Sequence, residues 1–476
     1  MSNATPASGM RRRQAWTVAL LFAGYAAYYF CRSDLSVAMP LLIEDLQRHG
    51  MANRDAILRM GQLASFGVLA YAIGKLTLTG LGDLWGGRRS FTLGLGGAIA
   101  FTLLFASTGY MPVFLIAWIG NRMAQSIGWA GLIKVCSKWF GYSSYGTVIG
   151  ILSLSYLVGD AVARQSMGML IRQGYGWRAL FAFAALVAGL VLIANLLFLR
   201  ESRAQLGYED PELNPLNLFA DSSAPANNLW EILKPLLSSR TFAVVCLLSF
   251  GCTIVRETFG LWTPVYLHDF FSYSVASAAE TSAIFPAVGA VSVLVTGWLS
   301  DHIGPCGRSV VMSVCLTAAV LPLTALAFLH AGAAASLWPV VLIGLVAFFL
   351  LGPYSYLAGA IALDMGGSKA GAASSGIVDG VGYLGGVLAG DTVARLSVAF
   401  GWRGVFAALA VVTALSALAA GFLYYHQRAQ QRKKLAPCQS NHPQHNDKGE
   451  SDSMTAELLS EIHGTCGSAS RNSING

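Results

Sequence analysis

Gly24-Tyr25-Ala26-Ala27-Tyr28-Tyr29-Phe30-Cys31-Arg32-Ser33-Asp34 sits inside an apolar run from Ala15 to Leu46. The run is too long for the core of a signal peptide and lacks a small-residue cleavage pattern. It reads as a membrane-spanning helix with a cation near its middle. An arginine at bilayer depth costs about 2.5–3.5 kcal/mol on insertion scales, so it is kept only where it faces protein or a wet cavity. Tyr25, Tyr29 and Arg32, spaced i, i+4 and i+7, share one helix face. That face is aromatic, hydroxylated and cationic, which suits an anion. On this helix alone, a structural arginine paired with Asp34 or with a backbone carbonyl is an equal alternative.

The rest of the chain agrees with a membrane setting. Its 476 residues are 55% hydrophobic and only 12% charged, with a mean hydropathy of +0.56. That is a polytopic membrane protein rather than a soluble domain. The net charge of +7 belongs to basic loops, and no basic patch interleaved with aromatics points to nucleic acid. The cysteines lack metal-ligand or CxxC spacing and lie mostly in apolar runs, where they act as small hydrophobes, so neither disulfides nor a metal site is expected. No cofactor is implied.

Apolar windows fall roughly at 15–45, 58–83, 90–108, 111–137, 145–171 and 178–199, then at 239–266, 277–301, 308–330, 336–363, 370–397 and 402–425. The expected organisation is a cytoplasmic N-terminus (1–14), a first six-helix bundle (15–199), a polar cytoplasmic linker (200–237), a second six-helix bundle (238–425) and a disordered cytoplasmic tail (426–476). Arg11–Arg13, Arg88, Arg89, Lys138, Arg308, Lys369 and the cluster after Gln427 set this orientation by the positive-inside rule. Arg48, Arg54 and Arg59 in the first loop oppose it and are outnumbered. The expected setting is a bacterial inner membrane.

The two halves are a repeat. Arg32 precedes Pro40 by eight residues and Arg256 precedes Pro264 by eight, an offset of 224 (256 − 32). Tyr175-Gly176-Trp177-Arg178 and Phe400-Gly401-Trp402-Arg403 open the sixth and twelfth spans at an offset of 225 (403 − 178). Asp83 with Gly86-Gly87-Arg88-Arg89 answers Asp301 with Gly304 and Gly307-Arg308. Such a duplication is the parallel repeat of a rocker-type transporter, with substrate at the interface of the halves. The Asp83/Arg88 and Asp301/Arg308 loops resemble the loop signature of the major facilitator superfamily, with Thr79 where a glycine is usual. An aspartate there can accept from the next helix N-terminus or from an arginine and so lock one conformation, which makes these four residues candidate gates.

Pseudo-symmetry brings Arg32 and Arg256 to equal depth across a central cavity. Two facing cations repel in low dielectric, so the arrangement makes sense with an anion between them, and guanidinium forks match phosphate oxygens. Lys75, four residues after Tyr71 in the second span, adds a third cation. Gly24–Arg32, Tyr71–Lys75, Arg256…Pro264, Gly128-Trp129…Lys134…Lys138-Trp139-Phe140 and Gly382-Tyr383-Leu384-Gly385-Gly386 together resemble the organophosphate:phosphate antiporter family of that superfamily.

The resemblance implies an all-α membrane protein of twelve transmembrane helices in two pseudo-symmetric six-helix bundles. It implies Arg32 and Arg256 as the phosphate clamp, Lys75 as its assistant, and Tyr25, Tyr29, Tyr71 and Tyr383 as pocket walls. Tyr156 stands where glycerol-phosphate carriers of the family have a substrate-linked histidine, and Pro286 where they have a pocket glutamate.

Asp160/Arg164 and Asp391/Arg395 are i, i+4 pairs that can neutralise themselves. Asp34, Glu257 and Asp379 are partners of the cations first and proton carriers second. The expected function is exchange of an organophosphate, such as a hexose phosphate or glycerol phosphate, for inorganic phosphate by a monomer in the lipid bilayer. No covalent chemistry is expected, and the absence of a G-x-x-x-x-G-K-[ST] motif argues against an ATP-driven pump. The alternatives are a transporter-like sensor of hexose phosphate and a proton-coupled carrier of another organic anion.

Overall fold

The computed structural model describes residues 6–78, 85–209, 234, 236–303, 307–331 and 336–439. Asp83, most of the 200–237 linker and the tail beyond Gln439 lie outside the described residues. The chain divides into two compact units, Met1–Gln427 and Arg428–Gly476. Of the second, only the end of the last helix is described.

The first repeat runs α1 (Pro6–Arg48), α2 (Asn53–Leu78), α3 (Gly87–Ala106), α4 (Met111–Gln125), α5 (Gly128–Trp139), α6 (Tyr142–Ser153), α7 (Ser155–Arg172) and α8 (Trp177–Phe198). The second runs α9 (Arg240–Phe271), α10 (Val275–Ser282), α11 (Ile284–Ile303), α12 (Gly307–Phe328), α13 (Trp338–Tyr356), a π-helical turn at Leu357–Ile361, α14 (Ala362–Leu388) and α15 (Asp391–Gln439). Pro40 and Pro264 lie inside α1 and α9 at the same step past the arginines. α15 is broken at Gly401, whose φ of 69° is a conformation glycine adopts at little cost.

Among the described residues, nine helical stretches are long and apolar enough to cross a membrane. α1 is not one of them. Tyr25, Tyr28, Tyr29, Arg32 and Asp34 lower its hydropathy, and these side chains face protein: all are buried except Arg32, whose side chain is 9% exposed. α1 is therefore a helix organised around an interior, packed against α7, α8 and α9.

The repeats meet through α1 and α9, α7 and α10, and α2 and α14. The tightest ties lie on one side of the arginines. Ser36 Oγ donates to the carbonyls of Gly260 and Leu261, each at 2.8 Å. Ser65 Oγ donates to Val387 O at 2.6 Å and accepts from the Asp391 N–H at 2.7 Å. Arg172 pairs with Glu280. Buried backbone carbonyls are thus satisfied across the interface rather than within one helix.

Candidate functional site

The site grows from two helices that each carry an arginine at mid-length. Arg32 on α1 and Arg256 on α9 converge on one carboxylate, Glu257. Arg32 Nη2 stands 3.6 Å from Glu257 Oε1, and Arg256 Nη2 donates to the same oxygen. The side chains are 9%, 11% and 15% exposed, so these charges sit in a medium that strengthens every electrostatic contact. Room for Glu257 comes from Gly386: a Cβ there would meet Glu257 Cγ at 3.1 Å. Arg32 Nη2 and Arg256 Nε are buried without a hydrogen-bond partner. Buried, unsatisfied cationic donors are costly.

A ring of aromatics holds the guanidiniums. The Arg32 Cζ lies 5.2 Å from the centre of the Tyr29 ring and 4.6 Å from that of Tyr71. Arg256 lies 4.8 Å from Tyr354 and 5.7 Å from Tyr383. Tyr71 and Tyr383 meet edge to face at 4.8 Å across the two repeats. Tyr156 packs on Tyr29 at 5.6 Å, and Tyr25 packs on Trp129 at 5.0 Å. Cation–π contacts of this kind add about 0.5–2 kcal/mol each when desolvated.

A cavity of about 80 Å³ opens beside the pair, several times what one water needs. Tyr29, Arg32, Arg122, Asp160, Arg164, Arg256 and Glu257 supply its polar wall together with Ser33 and Ser36. Of the expected ligands, Tyr29, Arg32 and Arg256 line this space. Tyr71 and Tyr383 back the cations, while Tyr25 and Tyr156 stand one ring further out. Lys75 forms an ion pair with Asp379 of α14, across the repeats, and its ammonium lies 5.3 Å from the Tyr71 ring and 5.0 Å from that of Tyr383. In this arrangement it bonds the two halves together.

Several residues have roles the sequence reading did not assign. Arg122 on α4, 3% exposed, lies 5.1 Å from the Tyr71 ring and 5.8 Å from that of Trp118. Gly67 on α2 makes the space, since a Cβ there would meet the Trp118 ring at 2.2 Å and Arg122 Cγ at 3.1 Å. The available signal was an arginine inside an apolar run, the same signal that picked out Arg32. Tyr354 under Arg256 was missed because a tyrosine in an apolar span carries no such mark. Asp34 is not the partner of Arg32: its Oδ1 accepts from the Leu35 N–H at 2.7 Å, and its Oδ2 has no partner.

The expected Asp160–Arg164 pair forms, at 2.6 Å, but it does more than neutralise itself. Arg164 also donates to Gly260 O at 2.5 Å and to Ser282 Oγ at 3.1 Å, both in the other repeat. Asp160 accepts from Ser33 at 2.6 Å. Arg395 and Asp391 pair at 2.8 Å on the surface.

At the loop signatures, Arg88 donates to Leu196 O at 2.5 Å. Glu201 meets the α3 N-terminus, accepting from the Gly87 and Arg88 N–H groups at 2.9 and 2.7 Å and from Lys138 at 2.8 Å. Burial pushes its carboxyl up, but the hydrogen bonds from Lys138, Arg88 and Gly87 outweigh burial and hold it below the ordinary glutamate value. In the second repeat Asp301 is exposed and Arg308 half-buried. There Ser309, in the first turn of α12, donates to Gln427 at 2.7 Å.

Two helical repeats closed around a buried, arginine-lined cavity are the architecture of a rocker-type membrane transporter. The chain belongs to the Major Facilitator Superfamily, whose family model matches residues 21–390. It is an integral, multi-pass membrane protein. It is 26% identical over 412 residues to a probable hexose phosphate transport protein of Chlamydia trachomatis, covering 82% of this chain and 86% of the relative. It is 22% identical to a glycerol-3-phosphate transporter of Bacillus subtilis (81% and 86% covered) and 24% identical to the membrane sensor protein UhpC of Escherichia coli (84% and 89% covered). These relatives belong to the organophosphate:phosphate antiporter type that the motifs of the first, second and seventh spans resemble. Among solved structures, an inward-facing bacterial homolog of the human lysosomal transporter Spinster superposes with a TM-score of 0.65 at 16% identity, covering 90% of this chain and 98% of that one.

Proposed function

We propose that the protein exchanges an organophosphate for inorganic phosphate by alternating access, with the phosphate group held between Arg32 and Arg256. The observation that carries this reading is the convergence of both arginines on the single carboxylate of Glu257 while each keeps a buried, unsatisfied nitrogen. Glu257 stands in for the anion. A phosphate arriving in the cavity offers the guanidiniums more acceptor oxygens than one carboxylate does, in the bidentate geometry they favour. The resemblance of the chain to carriers named for hexose phosphate and glycerol-3-phosphate supports the substrate class.

The ties through Ser36, Ser65, Arg164 and Arg172 lie in the later parts of α1, α7 and α14, at the middle of α2 and at the end of the short α10, which opens the eighth span. With the termini and the 200–237 linker in the cytoplasm, they form an outer gate. Substrate then leaves the clamp towards the cytoplasm past Lys75–Asp379. Releasing the gate requires breaking the Arg164 hydrogen bonds to Gly260 O and Ser282, and Arg164 lines the cavity, so a bound phosphate competes for it, which couples occupancy to rocking. The setting is a bacterial inner membrane, and one copy of the chain suffices.

Purified protein in liposomes loaded with inorganic phosphate should take up labelled hexose phosphate or glycerol phosphate only when internal phosphate is present. Uptake driven by a proton gradient without internal phosphate would replace this reading with proton-coupled carriage. Binding without flux would place the protein with the sensor that it also resembles.

A further inference from the structure

We propose that Arg122 makes the site select a phosphate dianion, so that both partners of the exchange cross as dianions, one for one and without net charge movement. The inference rests on the exchange reading above and names the ionic form that the same site takes. The wall of the cavity carries Arg32, Arg122, Arg164 and Arg256 against Asp160 and Glu257. Arg164 and Asp160 neutralise each other. Glu257 offsets one of the three remaining arginines. Guanidinium does not shed its proton in proteins, so two positive charges stay uncompensated around a small, enclosed space where like charges repel strongly. A monoanion leaves one of them; a dianion leaves none. Without Arg122 the same wall suits a monoanion.

Arg122 is built into the site. It is 3% exposed, it lines the cavity, and its Nε has no hydrogen-bond partner. Its guanidinium and that of Arg32 lie against the same ring, Tyr71. The charged and titratable groups around it are Arg32 and Asp34 on α1, Tyr71 on α2, Arg256 and Glu257 on α9, and Tyr383 on α14. α3, also packed against α4, brings no acidic residue. Among the described residues no carboxylate lies within ion-pair distance of Arg122. Asp34 lies outside the cavity wall, and its titration is a separate source of pH dependence that the choice of probes below removes. Arg122 also breaks the repeat. The matching helix of the second repeat, α13, carries no charged residue anywhere along its length, so this charge is an addition on one side of the cavity and not part of a symmetric scaffold.

The test is calorimetric binding of glycerol 3-phosphate and of its phosphonate analogue to the full-length purified protein, from about pH 5 to pH 8. A phosphate monoester loses its second proton near pH 6. Wild-type affinity should fall about tenfold per pH unit below that ionisation. The knee should move upward with the phosphonate, whose second ionisation is higher. Arg122→Gln should flatten the slope to less than about twofold per unit, whereas Arg122→Lys, which keeps the charge, should keep the slope even where affinity drops. A merely structural arginine would lower affinity in both variants and leave the slope alone. In liposomes at about pH 7, exchange of external glycerol 3-phosphate for internal phosphate by the wild type should not respond to an imposed membrane potential; a response overturns the one-for-one exchange of dianions.

A flat wild-type profile with tight binding overturns the assignment and leaves the exchange reading standing, as does a knee that ignores the change of ligand or a Gln variant that keeps the slope. If neither ester nor inorganic phosphate binds the wild type at any pH, the exchange reading falls too. If the Gln variant does not fold, the wild-type knee and the Lys variant decide.

Discussion

In the first repeat an Nη of Arg178 donates to Thr108 O at 3.2 Å, and in the second Arg403 Nε donates to Leu329 O at 3.1 Å. Both carbonyls lie just past the ends of corresponding helices, α3 and α12, so the Gly-Trp-Arg motif does the same work twice: it ties the sixth helix of each repeat to the third. Around the cavity the two repeats part company. The first contributes Arg32 and Arg122; the second contributes Arg256 and Glu257, and its helix matching that of Arg122, α13, has no charged residue. The loop ends differ as well, with a charged Glu201 on the α3 N-terminus and a neutral Gln427 at the start of α12. Ties that hold helices together tolerate duplication unchanged, because each repeat needs the same carbonyls satisfied. A cavity shared by both repeats gains nothing from duplicated charge and can be tuned from one side only.

The largest effects are expected at the clamp, where the repeats do match. Arg32→Lys and Arg256→Lys keep the charge and lose the fork, so each should weaken phosphate and organophosphate binding together by about 1.5–3 kcal/mol, roughly 10- to 150-fold. Arg32→Ala should cost more, yet fold, since it relieves repulsion in the empty cavity. If the Arg32→Lys protein keeps its phosphate affinity, the repeat's matched arginines are scaffold and the clamp is wrong. Next in size is Glu257→Gln, which leaves two arginines facing each other without their shared anion. The ligand-free protein should melt earlier, by the equivalent of about 1–3 kcal/mol, while added phosphate should raise its melting temperature by more than it raises that of the wild type. Equal shifts in both proteins would mean that Glu257 and the ligand do not compete for the same guanidiniums.

Much of this was legible in the sequence because charge inside an apolar run is loud. Arg32, Arg256 and the duplication that pairs them could be read directly, and so could the self-paired Asp160 and Arg164. What could not be read was partnership. Nothing in the sequence places Glu257 between both arginines, since a neighbour in the chain points away on the helix and reaches back only by its rotamer. Nothing places Arg164 on Gly260 O or Lys75 on Asp379, because those bonds depend on how the repeats close. Arg122 was legible by the same rule as Arg32 and lacked only a repeat partner to draw the eye. The place of Glu201 on the α3 N-terminus was not legible either, because a helix N-terminus attracts any carboxylate within reach and does not specify which segment delivers it; Asp83 lies outside the described residues.

The smallest effect sharpens the comparison at the loop ends. Glu201 lies beyond α8, outside the membrane span, and its carboxylate meets the N-terminus of α3 and Lys138. Its folded-state pKa is depressed. Such a group stabilises the fold fully above its unfolded value, near 4.3, and loses that contribution as pH falls through the folded value. Glu201→Gln retains one acceptor oxygen but gives up the charge at the helix N-terminus, so at neutral pH it should cost about 0.3–1 kcal/mol. That difference should shrink as the pH drops below the unfolded value and vanish only once the carboxyl is protonated in the folded protein as well. In the second repeat the reciprocal change, Gln427→Glu, should create a weaker version of the same dependence, because the group that meets residue 427 there is the Ser309 hydroxyl rather than a pair of backbone N–H groups. Thermal melts of the two variants and the wild type at pH 7 and pH 4 decide the matter. A Glu201→Gln deficit of the same size at both pH values would show that the carboxylate acts there by shape and hydrogen bonding alone, and that the charged cap of the first repeat and the neutral cap of the second are equivalent.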